Sequence, residues 1–195
     1  MTSAIATPAA LATGSTREQI LGVARHLIET RSYLGFSFQD VADAVGIRKA
    51  SLYHHFPTKE ALGIAVIRQA TQLFKDWDAA RGRAPKDALE SYFRMYRNTL
   101  KAGDGMCPAG ALTPGWDCIN EELRQAVQEL RNTQVLWLTG VLGALMPGRK
   151  KGASVASLAA YVFSVCQGAL LASRMTGRVE DFDAAIAQLR SSLPD

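Results

Sequence analysis

Apolar side chains recur every three or four residues along nearly the whole chain, and this spacing constrains the fold more than any other feature. One stretch near the amino end places five of them on one side of a helix: Ile20, Val23, Ala24, Leu27 and Ile28. No stretch shows the sustained two-residue alternation that is typical of strands. With 48% hydrophobic residues in 195, the chain can bury a substantial core. The sequence predicts an all-α fold of about nine helices, with a small N-terminal head and a larger helical body.

Local signals mark where the helices of the head begin and end. Thr16 is predicted to cap the first helix. Ser37 is predicted to cap a short second helix, which Gly46 closes. A third helix begins near Lys49, and Thr58 caps a long fourth helix that leaves the head. The first 14 residues lack this periodicity and are predicted to be a flexible tail.

The body is predicted to contain five further helices, separated by segments rich in glycine and proline. They comprise a helix that includes residues 89–100, a short one at about 107–113, one of about 25 residues from Ile119, and two at 153–176 and 180–192. The separating segments lie at 79–85, 102–116 and 146–152. Residues 152–173 carry no charge, and we expect this helix to be packed between other helices.

The second and third helices, joined by "AVGIRK", form a predicted helix-turn-helix. Its third helix turns one set of residues outward: Lys49, Ala50, Ser51, Tyr53 and His54. Residues 44–59 contain Arg48, Lys49 and Lys59 but no Asp or Glu, so the local field is positive although the net charge is only +4. Such a helix fits the major groove of duplex DNA. Two adjacent histidines could instead suggest a metal site, but they point about 100° apart on a helix.

The segment "TREQILGVARHLIETRSYLGFSFQDVADAVGIRKASLYHHFPTKEAL" resembles the DNA-binding head of the TetR family of bacterial regulators. Its core, "SLYHHFPTKEAL", is similar to the family's signature nearly position for position. The resemblance implies a DNA-binding domain at 15–62 and an effector-binding and dimerisation domain at 63–195. It also implies a cytoplasmic homodimer that binds double-stranded DNA and is released by a small molecule.

The same resemblance assigns roles to residues of the third helix. It implies that Arg48, Lys49 and Ala50 approach the bases. It further implies that the DNA backbone is held by Ser51, Tyr53, His54 and Lys59, with His55 packed or bonded at the helix end. Arg48 and Lys49 are bulkier and more basic than the residues common there, so no base preference is implied.

Several aromatic residues of the body are candidates for an apolar effector pocket with a few polar groups. They are Phe93, Tyr96, Trp116, Trp137 and Phe163, together with Gln167 and with Cys107 in the glycine-rich loop. The alternative for every one of them is an ordinary place in the core. Cys107 starts "CPAGAL", similar to a context in which some TetR-family regulators sense oxidants or electrophiles, and a thiol-responsive repressor is an alternative.

Small residues in the last helices allow close contact between two copies of the chain. One head contacts few phosphates, whereas two heads could bind half-sites separated by whole DNA turns of about ten base pairs. A helical DNA-binding adaptor without an effector is the alternative. Three cysteines at irregular spacing match no zinc pattern, and no catalytic motif is present, so we expect neither an enzyme nor a metal or other cofactor. We expect no membrane partner either.

Overall fold

The computed structural model describes residues 14–79, 82, 84–101, 106–147 and 153–193, and all regular structure in these ranges is helical. The helices are α1 (Thr16–Arg31), α2 (Phe38–Val45), α3 (Lys49–His55), α4 (Lys59–Ala79), α5 (Pro85–Lys101), α6 (Pro108–Ala111), a 3-10 helix (Thr113–Cys118), α7 (Glu121–Leu145), α8 (Ala153–Thr176) and α9 (Val179–Ser192). The all-α prediction is therefore confirmed. The predicted tail lies outside the described residues except for Gly14.

The cap of α1 differs by one residue from the prediction. Ser15, not Thr16, has the extended backbone of an N-cap, and its hydroxyl accepts a hydrogen bond from the Glu18 amide at 3.4 Å. The Glu18 carboxylate in turn accepts from the Ser15 amide at 2.7 Å. The two bonds form a capping box, in which the side chain three positions after the cap bonds back to the amide of the cap residue. Glu18 stands in that position relative to Ser15 and not to Thr16.

The turn between α2 and α3 follows the prediction closely. Ser37 caps α2 and exchanges hydrogen bonds with Asp40, whose carboxylate accepts from the Ser37 amide at 2.7 Å. Gly46 ends α2 with φ 79° and ψ 30°, a left-handed conformation that other residues adopt at a cost. The Gly46 and Ile47 amides both donate to the Ala42 carbonyl, at 2.9 and 3.0 Å. These bonds fix the direction in which α3 leaves the turn.

The long helix α7 lies at the centre of the body. It packs on α4, α5 and α8, and α9 packs on α5 and α8. Two bidentate ion pairs join α5 to α9. Arg97 binds Asp183 at 2.6 and 2.7 Å, and Arg190 binds Glu90 at 2.8 and 2.7 Å. Asn120 caps α7 through the Leu123 amide at 2.9 Å, so α7 starts two residues later than predicted.

Two features of the body depart from the sequence-based expectation. The 3-10 helix Thr113–Cys118 occupies part of the segment that was expected to be a loop. In addition, α8 is not enclosed on all sides. The stretch Val155–Thr176 is long and apolar enough to cross a membrane by length and composition, yet only a third of it is buried within the chain. Its outer face is uncharged and includes Tyr161, Gly168 and Leu171.

We expect Ser37→Ala to lower the free energy of unfolding by about 1 kcal/mol, because it removes the oxygen that caps α2. Urea denaturation followed by circular dichroism measures the change. Ser51→Ala is the control, since Ser51 lies inside α3 and caps neither end of it. We expect its effect to stay within about 0.5 kcal/mol. Equal losses from the two variants would contradict the capping role of Ser37.

Candidate functional site

The outward face of α3 carries most of the residues predicted to contact DNA. Arg48, Lys49, Ala50, Tyr53 and His54 are exposed, and Ser51 is half-buried. The pairs 49/53 and 50/54 are four residues apart, so these side chains lie on one face of the helix.

The inward side of α3 is anchored in the core of the head. Leu52 is fully buried and Phe56, which ends the helix, is 4% exposed. The Arg17 guanidinium of α1 lies 5.1 Å from the centre of the Phe56 ring. The outward face is thus held from behind by apolar contacts, and no Asp or Glu lies on α3.

Tyr53 is held in position by an aromatic contact. Its ring centre lies 5.1 Å from that of Phe38, the first residue of α2, while 48% of Tyr53 stays exposed. Phe38 itself is buried. The contact fixes the ring of Tyr53 with its hydroxyl at the surface, where it can donate to a phosphate oxygen.

The resemblance implied that Lys59 holds the DNA backbone, but in the structure its side chain bonds within the head. Its ammonium group donates a hydrogen bond to the Phe36 carbonyl and lies 4.6 Å from the Tyr33 ring and 4.2 Å from the Phe36 ring. Partial burial lowers the pKa of Lys59. The physical reason is the position of the segment before α2, whose Phe36 carbonyl faces the start of α4. The Lys59 side chain therefore joins two parts of the head and is not directed outward.

The two adjacent histidines at the end of α3 are both exposed. His55 is thus exposed, whereas the resemblance implied that it packs or bonds at the helix end. Within the described ranges, no group of three or more His, Cys, Asp or Glu side chains is arranged to hold a metal ion.

The residues predicted for one effector pocket are divided among three cavities. Tyr96 and Cys107 line a cavity of about 220 Å³ bounded by α1, α4, α5 and α7. Trp116, Phe163 and Gln167 line a cavity of about 460 Å³ between α6, α7 and α8.

The remaining two predicted pocket residues lie elsewhere. Trp137 borders a third space of about 350 Å³ near the end of α4, and its indole donates to Asp78 at 2.6 Å. Phe93 lines none of the three cavities. Its ring is 1% exposed and is covered by the Arg190 guanidinium at 5.3 Å, because α9 packs over this face of α5.

A buried hydrogen-bond network separates the first two cavities. The hydroxyls of Tyr92 and Tyr96 each donate to the Gln134 side-chain oxygen at 2.9 Å, and the Gln167 amide donates to the Tyr96 hydroxyl at 3.1 Å. Burial raises the pKa of both tyrosines well above its usual value, so they stay neutral. The sequence analysis did not predict Gln134 as a residue of this site. The pattern that could have identified it is a polar residue midway between Leu130 and Leu138, on the buried side of α7.

The smaller cavity also reaches the head. Glu29 of α1 is only 4% exposed, and its carboxylate accepts from Arg25 at 2.8 Å. Both residues line this cavity. Neither Arg25 nor Glu29 was predicted from the sequence as a pocket residue, although Glu29 follows Ile28 on the inward side of α1.

The three cysteines have different surroundings. Cys107 is the N-cap residue of α6, and its thiol is buried in the wall of the smaller cavity. Cys166 is fully buried in α8, and burial raises its pKa to about 12. Cys118 is exposed.

Residues 20–66 match a family model described as bacterial regulatory proteins of the tetR family. The HTH-type transcriptional repressor DhaR of Mycobacterium sp. (strain GP1) is 27% identical over 184 residues, which span 83% of this chain and 87% of DhaR. A TetR-family regulator from Agrobacterium tumefaciens has a similar crystal structure, with a TM-score of 0.84 and 25% identity over 96% of this chain and 100% of that one. The chain belongs to the TetR family. It is accordingly a helix-turn-helix, DNA-binding regulator of transcription.

The similarity of this TetR-family regulator to its relatives extends through the body. A TetR regulator from Legionella pneumophila gives a TM-score of 0.82 at 27% identity over 94% of this chain and 100% of that one. The region matched by the family model ends inside α4, which runs without a break from Lys59 to Ala79. The predicted division at residues 62 and 63 therefore falls within one continuous helix.

Besides α4, a second connection links head and body in this TetR-family regulator. Arg174, near the end of α8, donates to the Glu29 carbonyl at 3.0 Å and to the Thr30 carbonyl at 2.6 Å. These carbonyls belong to the last turn of α1, where a positive charge is favourable. The end of α8 is thereby bonded directly to the first helix of the head.

We expect Lys59→Ala to lower the free energy of unfolding by about 1–3 kcal/mol, because the Phe36 carbonyl loses a charged donor. Lys49→Ala, on the open face of α3, should change it by less than about 0.5 kcal/mol. Urea denaturation of the two variants beside the wild type measures the difference. A Lys59 variant as stable as the wild type would show that the bond to Phe36 does not hold the head together.

Proposed function

We propose that this regulator is a homodimeric repressor that binds a palindromic operator and is released by a small molecule in its body. The observation that carries the proposal is the exposed face of α3, which has two basic residues at its N-terminal end and no acidic residue. A face of this kind places side chains against base edges in the major groove.

The residues of α3 divide into two groups in this proposal. Arg48, Lys49 and Ala50, at the exposed start of the helix, approach base edges. Ser51, Tyr53 and His54 bond to phosphate oxygens, which fixes the position of the head on the duplex but specifies no sequence. Lys59 would have to leave the Phe36 carbonyl to reach a phosphate. We therefore assign it first to holding the start of α4 against the loop before α2.

Dimerisation is supported by the uncharged outer face of α8 and α9. It consists of Tyr161, Ser164, Gly168, Leu171 and Met175 on α8, and Ala184, Ala187, Gln188 and Ser191 on α9. Tyr161 is 51% exposed and Met175 77%. A second copy related by a two-fold axis would cover this face with the same face of its own. It would also place a second head beside the first, as two half-sites require.

Release by an effector is supported by the position of the smaller cavity. Its wall includes Arg25 and Glu29 of α1 and Phe74 of α4, the two helices that connect the head to the body. A molecule that binds in this cavity, or in the cavity of about 460 Å³ on the other side of the Tyr96–Gln134–Gln167 network, shifts the population toward the head orientation in which it binds more tightly. Two heads that no longer match the half-site spacing then lose the operator. The cavities also count against an adaptor that works without an effector.

We place the protein in the cytoplasm, where the DNA is accessible, and we assign it no catalytic activity. DhaR is a repressor, which favours repression over activation for this chain.

A thiol-responsive repressor is the second candidate. It is favoured by Cys107 in the wall of the smaller cavity, since a small electrophile could reach the buried thiol there.

Footprinting on the DNA upstream of its own gene, repeated at several salt concentrations, tests the proposed function. We expect one protected palindrome, with an association constant that falls steeply with salt because phosphate contacts release counterions. Binding of similar strength to all DNA would contradict a specific operator.

Lys49→Ala should change which operator variants are preferred, by about 1–3 kcal/mol at the contacted base pair. Competition binding against single-base operator variants measures this. Lys75→Ala is the control, because Lys75 is exposed on α4 well outside the α3 face. We expect it to leave the order of preference unchanged. Identical profiles for Lys49→Ala and the wild type would remove Lys49 from the base-reading group.

A further inference from the structure

The cavity of about 460 Å³ between α6, α7 and α8 has a strongly apolar interior. Its walls are formed largely by Met106, Ala109, Trp116, Val127, Phe163 and Leu171. Two aromatic side chains, Trp116 and Phe163, come from different elements, the 3-10 helix and α8. Such a lining favours a compact hydrocarbon or aromatic body over a sugar or another strongly hydrated molecule.

The charge at the rim of this cavity is positive. Arg131 is exposed on α7, its guanidinium lies 5.9 Å from the Phe163 ring, and it donates to Asn132 at 3.0 Å. No carboxylate of the described residues lies within 4.0 Å of it. Among the described residues that line the cavity, Arg131 is the one that carries a charge.

A second guanidinium stands two helical turns away on the same helix. Arg124 donates to the Trp116 carbonyl at 3.1 Å and lies 6.0 Å from the Trp116 ring, with Glu121 at 3.7 Å. Residues seven apart share a helix face, so Arg124 and Arg131 flank the same side of the cavity. Gln128 lies between them at the rim.

The hydrogen-bonding groups of the interior do not favour an anion deep in the cavity. The Thr113 hydroxyl already donates to the Gly110 carbonyl at 2.7 Å. The Tyr96 hydroxyl gives its one proton to Gln134, so it can only accept from Gln167, which fixes the Gln167 NH₂ group toward Tyr96. The remaining Gln167 oxygen is buried near Gly110 without a hydrogen-bond partner. Since that atom is an acceptor, it would repel a carboxylate.

We propose that this cavity binds an amphipathic organic acid, with its apolar body between Trp116 and Phe163 and its acid group at Arg131. The acid pairs with a guanidinium that has no carboxylate partner, while the hydrocarbon leaves water for an apolar wall. A cation is repelled by the Arg131 guanidinium at the rim. This inference rests on the proposed function, because it names the chemical class of the effector.

The test uses the full-length protein and the fluorescent probe 8-anilinonaphthalene-1-sulfonate, a flat apolar anion. Octanoate and octan-1-ol, which differ at the acid group, then compete for the bound probe. We expect octanoate to displace the probe at a concentration about tenfold lower than octan-1-ol, because only the acid gains a charge-assisted bond. Equal competition by the two, or no binding of the probe, overturns the inference.

Two pairs of variants locate the acid group. Arg131→Gln should weaken octanoate about tenfold and leave octan-1-ol unchanged, whereas Arg68→Gln, on α4 and outside the lining, should change neither. Gln128→Glu adds a carboxylate at the rim and should weaken octanoate several-fold. Gln125→Glu makes the same change on α7 outside the lining, and should not. All four positions are exposed, so folding is not at risk. Equal effects within either pair overturn the inference.

Footprinting with and without octanoate separates this inference from the proposed function. A specific footprint together with failed acid selectivity overturns the inference and leaves the regulator intact. A wild type that protects no specific DNA in the absence of acid overturns the proposed function, whatever octanoate does. A footprint weakened by octanoate in the wild type and in Arg68→Gln, but not in Arg131→Gln, supports both.

Discussion

The burial of Leu52 and Phe56 against the rest of the head is the contact on which the DNA-binding surface depends. A helix of seven residues has too few internal hydrogen bonds to be stable in isolation. Its position is therefore set by tertiary packing, in a core that also contains Ile20 and Val41. Leu52 and Phe56 lie on the inner side of α3, so the outer side, where Tyr53 contacts Phe38, remains available to a partner. The direction of the helix comes from Gly46, whose left-handed conformation sets the turn.

The body combines apolar packing with a small number of buried polar contacts. Tyr92, Tyr96, Gln134 and Gln167 form a connected set at the junction of α5, α7 and α8. A buried polar atom without a hydrogen-bond partner costs stability, and among the described residues one Gln167 oxygen of this network has none. The network also divides the interior into two cavities, one adjoining the head and one adjoining α8. Gln167, in the wall of the larger cavity, donates a hydrogen bond to Tyr96, in the wall of the smaller one. A ligand in one cavity therefore lies beside a network that also borders the other cavity.

Local signals in the sequence placed most of the turns in the head, although the cap of α1 is Ser15 and not Thr16, because these turns are specified by neighbouring residues. Ser37, Gly46 and Thr58 each act within four positions along the chain, and each stands where the sequence predicted. The side chain of Lys59 could not be placed in this way, since its partner Phe36 is 23 residues away. The same limit applies to the body. Phe93 and Tyr96 are three residues apart on α5, yet α9 covers the first and the second borders a cavity. Only the packing of distant helices distinguishes them.

The outer residues of α3 have a consequence for how such a regulator can change over generations. Arg48, Lys49 and Ala50 are exposed, so replacing them costs the fold little. The residues that hold the helix, such as Leu52, tolerate far less, because a smaller side chain would leave a void. Recognition of new DNA sequences can therefore be acquired one substitution at a time, while the scaffold beneath is preserved.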